Sequence, residues 1–124
     1  MNQAQENETP AIVEIPEIPR APDVRLDPQT TALIIVDMQN DFAHPDGTLY
    51  GAETPTAIPA IARLLAKARR SGARVLFTQD WHGEAGSWGA EIVADLQPEP
   101  HELQLKKLRY DAFYGTPLAH LLQQ

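Results

Sequence analysis

The sequence predicts an α/β domain with a mainly parallel sheet, and three observations support that fold class. An uninterrupted apolar run, residues 31–36, ends directly at Asp37. Unbroken apolar runs are typical of strands that helices cover on both faces. An amphipathic helix and a second apolar strand follow, and a third, weaker strand comes later in the chain. Such strand–helix–strand crossovers are right-handed, and the crossover connection makes the two strands parallel.

The first half of the domain has clear local signatures. Residues 31–38 form the first predicted strand, and residues 40–51 are interpreted as a loop with turn residues at 45–47. A helix is predicted over residues 56–70, with Pro59 near its first turn. Its apolar face consists of Ile58, Ile61, Leu64, Leu65 and Ala68. Gly72 then supplies a left-handed exit, and residues 73–78 form the second strand.

The second half is less regular. A glycine-containing loop leads to a short helix around residues 90–96, which Pro98 and Pro100 close. Residues 102–109 are predicted to be the third strand. Thr116 and Pro117 are a typical helix start, which predicts a last helix through Leu118, Leu121 and Leu122.

Residues 1–30 are predicted to form an extended arm before the domain at residues 31–124. The arm contains six acidic residues, two arginines and five of the eleven prolines. Proline removes a backbone donor and fixes φ, so neither a helix nor a central strand is expected there. The apolar residues Ile12, Val13, Ile15 and Ile18 are nevertheless available to lie along the body of the domain.

Composition excludes several classes of function. The chain has 124 residues and a net charge of −7, so the clustered cations that bind a nucleic acid backbone are not expected. No apolar run reaches the roughly 20 residues that cross a membrane, and no secretory signal is visible. The chain has no cysteine, which excludes disulfides and thiolate metal sites within it. A cytoplasmic protein is therefore expected.

Candidate catalytic residues lie at the carboxyl ends of the predicted strands, where open α/β sheets bind ligands. Asp37 follows the first strand, and an acid there is either paired, poised as a base or capping its own turn. Lys106 and Lys107 lie on the third strand and point to opposite faces. One of them can pair with Asp37, or both can be solvated lysines that protect a sheet edge.

A metal site and a serine nucleophile have less support. Asp80 and His82 follow the second strand and can supply two metal ligands, or they can bond to the local backbone. Two ligands do not complete a site, so no metal or other cofactor is predicted. Ser87 lies in a near match to a nucleophile elbow, but a loop rather than a strand precedes it.

Four ordered segments carry recognisable motifs, at residues 37–42 (DMQNDF), 78–82 (TQDWH), 86–92 (GSWGAEI) and 107–113 (KLRYDAF). They resemble the isochorismatase-like cysteine hydrolases, a superfamily that includes isochorismatases, nicotinamidases, N-carbamoylsarcosine amidases and ureidoacrylate hydrolases. The first resembles the opening motif of that superfamily, the second resembles its second-strand signature, and the last two resemble its later segments. The resemblance covers the chain outside the arm.

The resemblance implies a three-layer α/β/α fold around a six-stranded, mainly parallel, Rossmann-like sheet. It also implies that Asp37 is a general base and that Lys107 is the cation beside it. Phe42, Trp81 and Tyr110 would line the pocket of a small-molecule substrate, although each can equally be a core residue. In amide-cleaving members a cysteine attacks the carbonyl, whereas isochorismatases cleave a vinyl ether and can do so without it.

The chain departs from this pattern at its carboxyl end. The family's cysteine follows a fourth strand, and residues 1–124 contain neither, so the chain is expected to correspond to the N-terminal half of such an enzyme, with about three of its strands. The first strand would then be an exposed edge. We therefore expect a homo-oligomer, a complementing chain or poor folding. The alternative function is a catalytically inactive domain that binds a partner through that edge.

Overall fold

A computed structural model describes residues 13–21, 23–81 and 86–124. Its strands are β1 (Ala32–Val36), β2 (Arg74–Asp80) and β3 (Leu103–Lys107). Its helices are α1 (Asn40–Ala43), α2 (Thr54–Ser71) and α3 (Leu118–Leu122), and short 3₁₀ turns occupy Trp88–Ala90 and Ala94–Leu96.

The three strands form one parallel sheet in the order β1-β2-β3, as the sequence predicts. In the register of this sheet, Val36 lies opposite Thr78, and Asp80 lies opposite Lys107. The carboxyl ends of all three strands therefore meet at one edge. Lys107 ends β3, Asp80 ends β2, and Asp37 follows β1 directly.

The core has two parts, one on each face of the sheet. On one face Phe77 and Ile35 pack with Leu65 of α2 and with Leu96. On the other face Leu76 and Leu105 pack with Leu118 of α3. Alternate residues of β2 point to opposite faces, so helices on both sides give the three-layer arrangement.

Strand β1 is covered less completely than the sequence predicts. Only Ile35 of this strand is buried, and Val36 is 56% exposed. Within residues 13–21, 23–81 and 86–124, β1 pairs with β2 alone, so its other edge carries no described strand. Because neighbouring strands and their helices are what bury a central strand, an edge position leaves β1 partly open.

Helix α2 is longer than the predicted 56–70. It begins at Thr54, so Pro59 lies inside the helix rather than in its first turn. The helix ends at Gly72, whose φ of 76° is the expected left-handed exit. The prediction that Leu64 belongs to the buried face was wrong, because Leu64 is 52% exposed.

Several loop predictions need correction. Helix α1 occupies part of the predicted loop 40–51, and the predicted helix 90–96 is two 3₁₀ turns. Strand β2 continues to Asp80, which makes Asp80 the last strand residue rather than a loop residue, and β3 is shorter than predicted. In α3, Leu118 is buried whereas Leu122 is 42% exposed.

The arm is extended where it is described. Residues 13–21 and 23–27 have no helix or strand, and Ile12 lies outside the described residues. Val13, Ile15 and Ile18 are 78–82% exposed, so they do not lie along the domain. Because the prolines among them lack a backbone N–H, this segment does not offer the regular row of donors that pairing with a sheet edge needs. None of the described helices has the length and apolarity that a bilayer crossing requires.

Candidate active site

The carboxyl edge of the sheet holds a buried lysine between two carboxylates. The Lys107 side chain is 2% exposed, and its Nζ lies 2.7 Å from Asp37 Oδ2 and 3.9 Å from Asp80 Oδ2. It also donates to the backbone carbonyl of Arg109 at 3.3 Å. A buried ammonium is costly unless it is paired and hydrogen-bonded, and all three contacts meet that requirement.

Alternation along β3 separates the two lysines. Lys107 faces Asp37, whereas Lys106 is exposed and places its Nζ 4.3 Å from the centre of the Trp81 ring. Trp81 is partly buried, and its backbone N–H donates to the backbone carbonyl of Lys107 at 2.9 Å. The cation–π contact and this backbone bond continue the pairing of the two chain segments past the end of β2.

Asp37 is held by the neighbouring strand as well as by Lys107. Its backbone has a φ of 51°, in the left-handed region. Its N–H donates to the carbonyl of Thr78 at 3.1 Å, and the Thr78 hydroxyl donates to Asp37 Oδ1 at 2.7 Å. Each oxygen of the carboxylate therefore has a defined partner, Thr78 for Oδ1 and Lys107 for Oδ2.

Gln39 is a structural element of the site that the sequence reasoning missed. It is fully buried, and its Oε1 accepts from Asp80 N at 2.7 Å. Its Nε2 donates to the carbonyls of Asp80 and Ala90 at 2.9 and 3.1 Å, and Gln79 donates to the same Ala90 carbonyl at 3.0 Å. These bonds tie the end of β1 to the end of β2 and to the segment after it.

The segment with residues 86–92 is fixed to α1. Asn40 donates through Nδ2 to the carbonyl of Trp88 at 2.8 Å, and its N–H donates to the carbonyl of Glu91 at 2.8 Å. The Asp41 carboxylate accepts from Thr48 and lies directly against Gly89, where a Cβ would collide with it. A side chain at position 89 would therefore require the Asp41 carboxylate to move from its contact with Thr48.

The candidate pocket residues differ in exposure. Phe42 and Trp81 are partly buried at the carboxyl edge, whereas Tyr110 is 97% exposed. Ser87 lies in a loop that precedes a 3₁₀ turn, so the strand–turn–helix setting of a nucleophile elbow is absent from residues 86–96. The pocket roles of Phe42, Trp81 and Tyr110 stay predictions.

The metal-ligand candidates are only partly described. His82 lies outside the described residues, and Asp80 lies beside the Lys107 ammonium. A second group with metal-ligand spacing, Glu99, His101 and Glu102, occurs among the described residues at the other end of the sheet. There the Glu102 carboxylate already accepts from Arg69 at 2.8 Å on both oxygens. Because the guanidinium occupies both oxygens, this group is an ion-pair cluster.

The Arg69–Glu102 ion pair shifts the pKa of each of its two members. Hydrogen bonds from Arg69 lower the pKa of the Glu102 carboxyl, although burial opposes them. The same bonds raise the pKa of Arg69. Arg69 lies in the last turn of α2 and Glu102 precedes β3, so the pair joins a helix to the sheet.

The fold and the site together define a class of protein. A parallel α/β sheet carries a buried lysine–carboxylate pair at the edge where such sheets bind their ligands. The carboxylate can accept a proton, and the lysine can stabilise negative charge that develops beside it. The class that these features define is an α/β domain with a candidate acid–base pair at its ligand-binding edge.

Residues 31–124 match the isochorismatase domain family, and the chain belongs to that family. The ureidoacrylate amidohydrolase RutB of Methylobacterium radiotolerans is 34% identical, over 86% of this chain and 57% of that protein. An isochorismatase family protein from Desulfovibrio vulgaris is 38% identical with a TM-score of 0.70, over 76% of this chain and 60% of the other. N-carbamoylsarcosine amidase from Thermoplasma acidophilum is 30% identical with a TM-score of 0.67, over 74% and 60% of the two chains.

These comparisons confirm the family and the fold expected from the sequence motifs. Homologues of the chain are hydrolases, and the RutB proteins act as amidohydrolases. The chain spans less than two thirds of the length of the two RutB relatives, 57% and 64% respectively.

Proposed function

We propose that this chain supplies the general base and the adjacent cation of an enzyme that hydrolyses a C–N bond in a small amide. The observation that carries the proposal is the 2.7 Å contact between buried Lys107 and Asp37 at the ligand-binding edge of the sheet. Support also comes from relatives whose names specify ureidoacrylate and N-carbamoylsarcosine, both of which carry a carbamoyl C–N bond. The family resemblance assigns the same roles to these two residues.

In the proposed reaction, Asp37 takes the proton of a thiol nucleophile. The thiolate attacks the amide carbonyl carbon, the C–N bond breaks, and the proton moves to the departing nitrogen. Water then hydrolyses the thioester and regenerates the thiol. Lys107 holds the carboxylate in place and offsets the negative charge that builds up near it. Because residues 1–124 contain no cysteine, the nucleophile must come from outside them.

The outer edge of β1 is the place where we expect the nucleophile to enter. A strand that paired there in parallel would end at the same edge of the sheet as Asp37. The supplying strand can belong to a second copy, to a complementing chain or to a further segment of the same polypeptide. Val36, which is 56% exposed, lies at the carboxyl end of this edge.

Cleavage of a vinyl ether is the other family reaction, and it needs the acid as a proton donor. The contact between Asp37 and Lys107 suits either reaction. Amide hydrolysis is favoured because the named relatives include a ureidoacrylate amidohydrolase and an N-carbamoylsarcosine amidase.

The test is an ammonia-release assay on ureidoacrylate and N-carbamoylsarcosine, using the protein with the chain or segment that completes it. Substitution of Asp37→Asn is expected to lower kcat by about 10²- to 10⁴-fold, the usual contribution of a general base. Asp95→Asn is the matched control, because Asp95 is exposed in a 3₁₀ turn and should leave the rate unchanged. Retention of full activity by Asp37→Asn would refute the assignment.

A non-catalytic role in partner binding is the second candidate function, and the open edge of β1 is what favours it. In that case the chain would associate through β1 without hydrolytic activity in any complex. Hydrolytic activity in the completed complex separates the two functions, whereas sedimentation over a range of concentrations tests the association itself. We expect the 124-residue chain to self-associate or to unfold without cooperativity. A monodisperse monomer that unfolds cooperatively would contradict the edge-based association.

A further inference from the structure

Thr78 is the buried hydroxyl nearest to the proposed base. Its side chain belongs to β2 and is 1% exposed. The hydroxyl donates to Asp37 Oδ1 at 2.7 Å, and its oxygen accepts from the Asp37 N–H at 3.3 Å. The same N–H is shared with the Thr78 carbonyl at 3.1 Å. One residue of β2 therefore contacts both the backbone and the side chain of Asp37.

We propose that Thr78 is a positioning residue that fixes the orientation of the Asp37 carboxylate for proton transfer. This inference rests on the proposed function, because it assumes that Asp37 is the base. A hydroxyl has one proton and two lone pairs. Since the proton is donated to Oδ1, a lone pair is available to the Asp37 N–H, and the two bonds lock the side chain relative to its own backbone.

The carboxylate plane is fixed because its two oxygens have different partners. Thr78 holds Oδ1, and Lys107 holds Oδ2 at 2.7 Å. A rotation about the bond to the carboxyl carbon would break both contacts together. Each oxygen keeps a lone pair that can accept a proton, and these two bonds set the direction in which that lone pair points. Precise placement matters because a shift of about 1 Å can cost a reaction about 100-fold.

The strand itself does not need this hydroxyl. Thr78 pairs with Val36 through the parallel backbone ladder, which any β-branched residue can maintain. Valine has nearly the shape of threonine and suits a strand, so Thr78→Val removes the two side-chain bonds with little change in volume. Thr78→Ser keeps the hydroxyl and removes only a methyl group.

The experiment compares kcat and KM for the wild-type, Thr78→Val and Thr78→Ser proteins in the completed enzyme. We expect Thr78→Val to lower kcat about 10- to 100-fold, the effect of losing one hydrogen bond to a charged group, with KM changed less than about threefold. Thr78→Ser should restore kcat to within about threefold of the wild-type value. Ser71→Ala is the control: it removes a hydroxyl bonded to the Ala68 carbonyl at the opposite end of the sheet, and its kcat should not change.

Crystal structures of the wild-type and Thr78→Val proteins, each in the completed enzyme, give a readout that is independent of activity. We expect the Asp37 carboxylate to rotate in the variant, so that its hydrogen-bond contact with Lys107 Nζ is lost. An unchanged carboxylate, an unchanged kcat, or an equal loss in Thr78→Ser would each overturn the proposal. If Asp37→Asn is fully active while the carboxylate still rotates in Thr78→Val, the proposed function fails and the positioning contact stands.

Discussion

Each end of the sheet carries an ion-pair cluster of one basic and two acidic side chains. The two clusters differ in how many hydrogen bonds their carboxylates accept. At the carboxyl end, Lys107 lies between Asp37 and Asp80. At the amino end, Arg69 lies between Glu102 and Glu99, with Nε 3.6 Å from the Glu99 carboxylate. Both clusters place one cation against two acids, and in both the member nearest the core is 2% exposed.

The carboxylate oxygens of Glu102 and Asp37 differ in how many hydrogen bonds they accept. Arg69 binds both oxygens of Glu102 with its planar fork, and Glu102 Oε2 also accepts the Glu99 N–H at 2.9 Å. Asp37 has one partner on each oxygen and a side chain that is 23% exposed. Within the described residues, Glu102 therefore accepts three hydrogen bonds and joins α2 to the sheet, whereas Asp37 accepts fewer and is more exposed, so the proposed base keeps acceptor capacity.

Loss of the lysine should have the largest effect in this comparison. Lys107→Met leaves Asp37 and Asp80 close together without their cation, so we expect kcat to fall about 10²- to 10³-fold. Arg69→Met at the other end should leave kcat per folded molecule unchanged and lower the stability instead. Steady-state assays with both variants check this. Equal loss of kcat in the two variants would show that the clusters do not differ in role.

A fall in pH should weaken the Arg69–Glu102 cluster. Arg69 lowers the pKa of Glu102, so the stabilisation is complete above the ordinary range of a glutamate, about pH 4.3, and is lost as the pH falls through the lower folded-state value. Glu102→Gln should cost about 1–3 kcal/mol at neutral pH. Urea unfolding as a function of pH is the measurement: the two stability curves should converge below about pH 4.3. Curves that stay parallel throughout the acid range below that pH would contradict the pairing.

The smallest effect is expected from exchange of one cation for the other. Arg69→Lys keeps the charge but cannot bind both Glu102 oxygens in the same planar geometry, so we expect a loss of about 1 kcal/mol in the free energy of unfolding. The activity should not change. Unfolding in urea measures the difference, and a value near zero would show that the fork geometry contributes nothing beyond charge.

Much of the site could be predicted because it lies where strands end. An apolar run that stops at Asp37 and a strand that contains Lys107 place both residues at one edge of a parallel sheet. Thr78 and Gln39 could not be assigned in this way. Their bonds depend on the register between β1 and β2, which places Val36 opposite Thr78, and no single segment encodes that register.

Helix α1 shows a different limit of prediction. It has four residues, too few for intrinsic helix propensity to decide, and Asn40 is fixed by bonds to Trp88 and Glu91 from a distant segment. The burial of β1 also depends on residues outside its own segment. Its apolar sequence predicts burial on both faces, but burial depends on which neighbours are present, and Val36 is exposed.

The left-handed backbone of Asp37 determines which substitutions are informative for mutagenesis and design. Among residues with a side chain, Asn, Asp and His adopt this conformation most readily, whereas most other residues incur a cost of about 1–2 kcal/mol. An alanine at this position would combine backbone strain with the loss of the carboxylate. Asparagine keeps a favoured backbone and removes the charge, and it also replaces one carboxylate oxygen with an N–H donor. Of the few residue types that this backbone tolerates well, aspartate is the one that supplies a carboxylate, so a library at position 37 tests backbone and charge together.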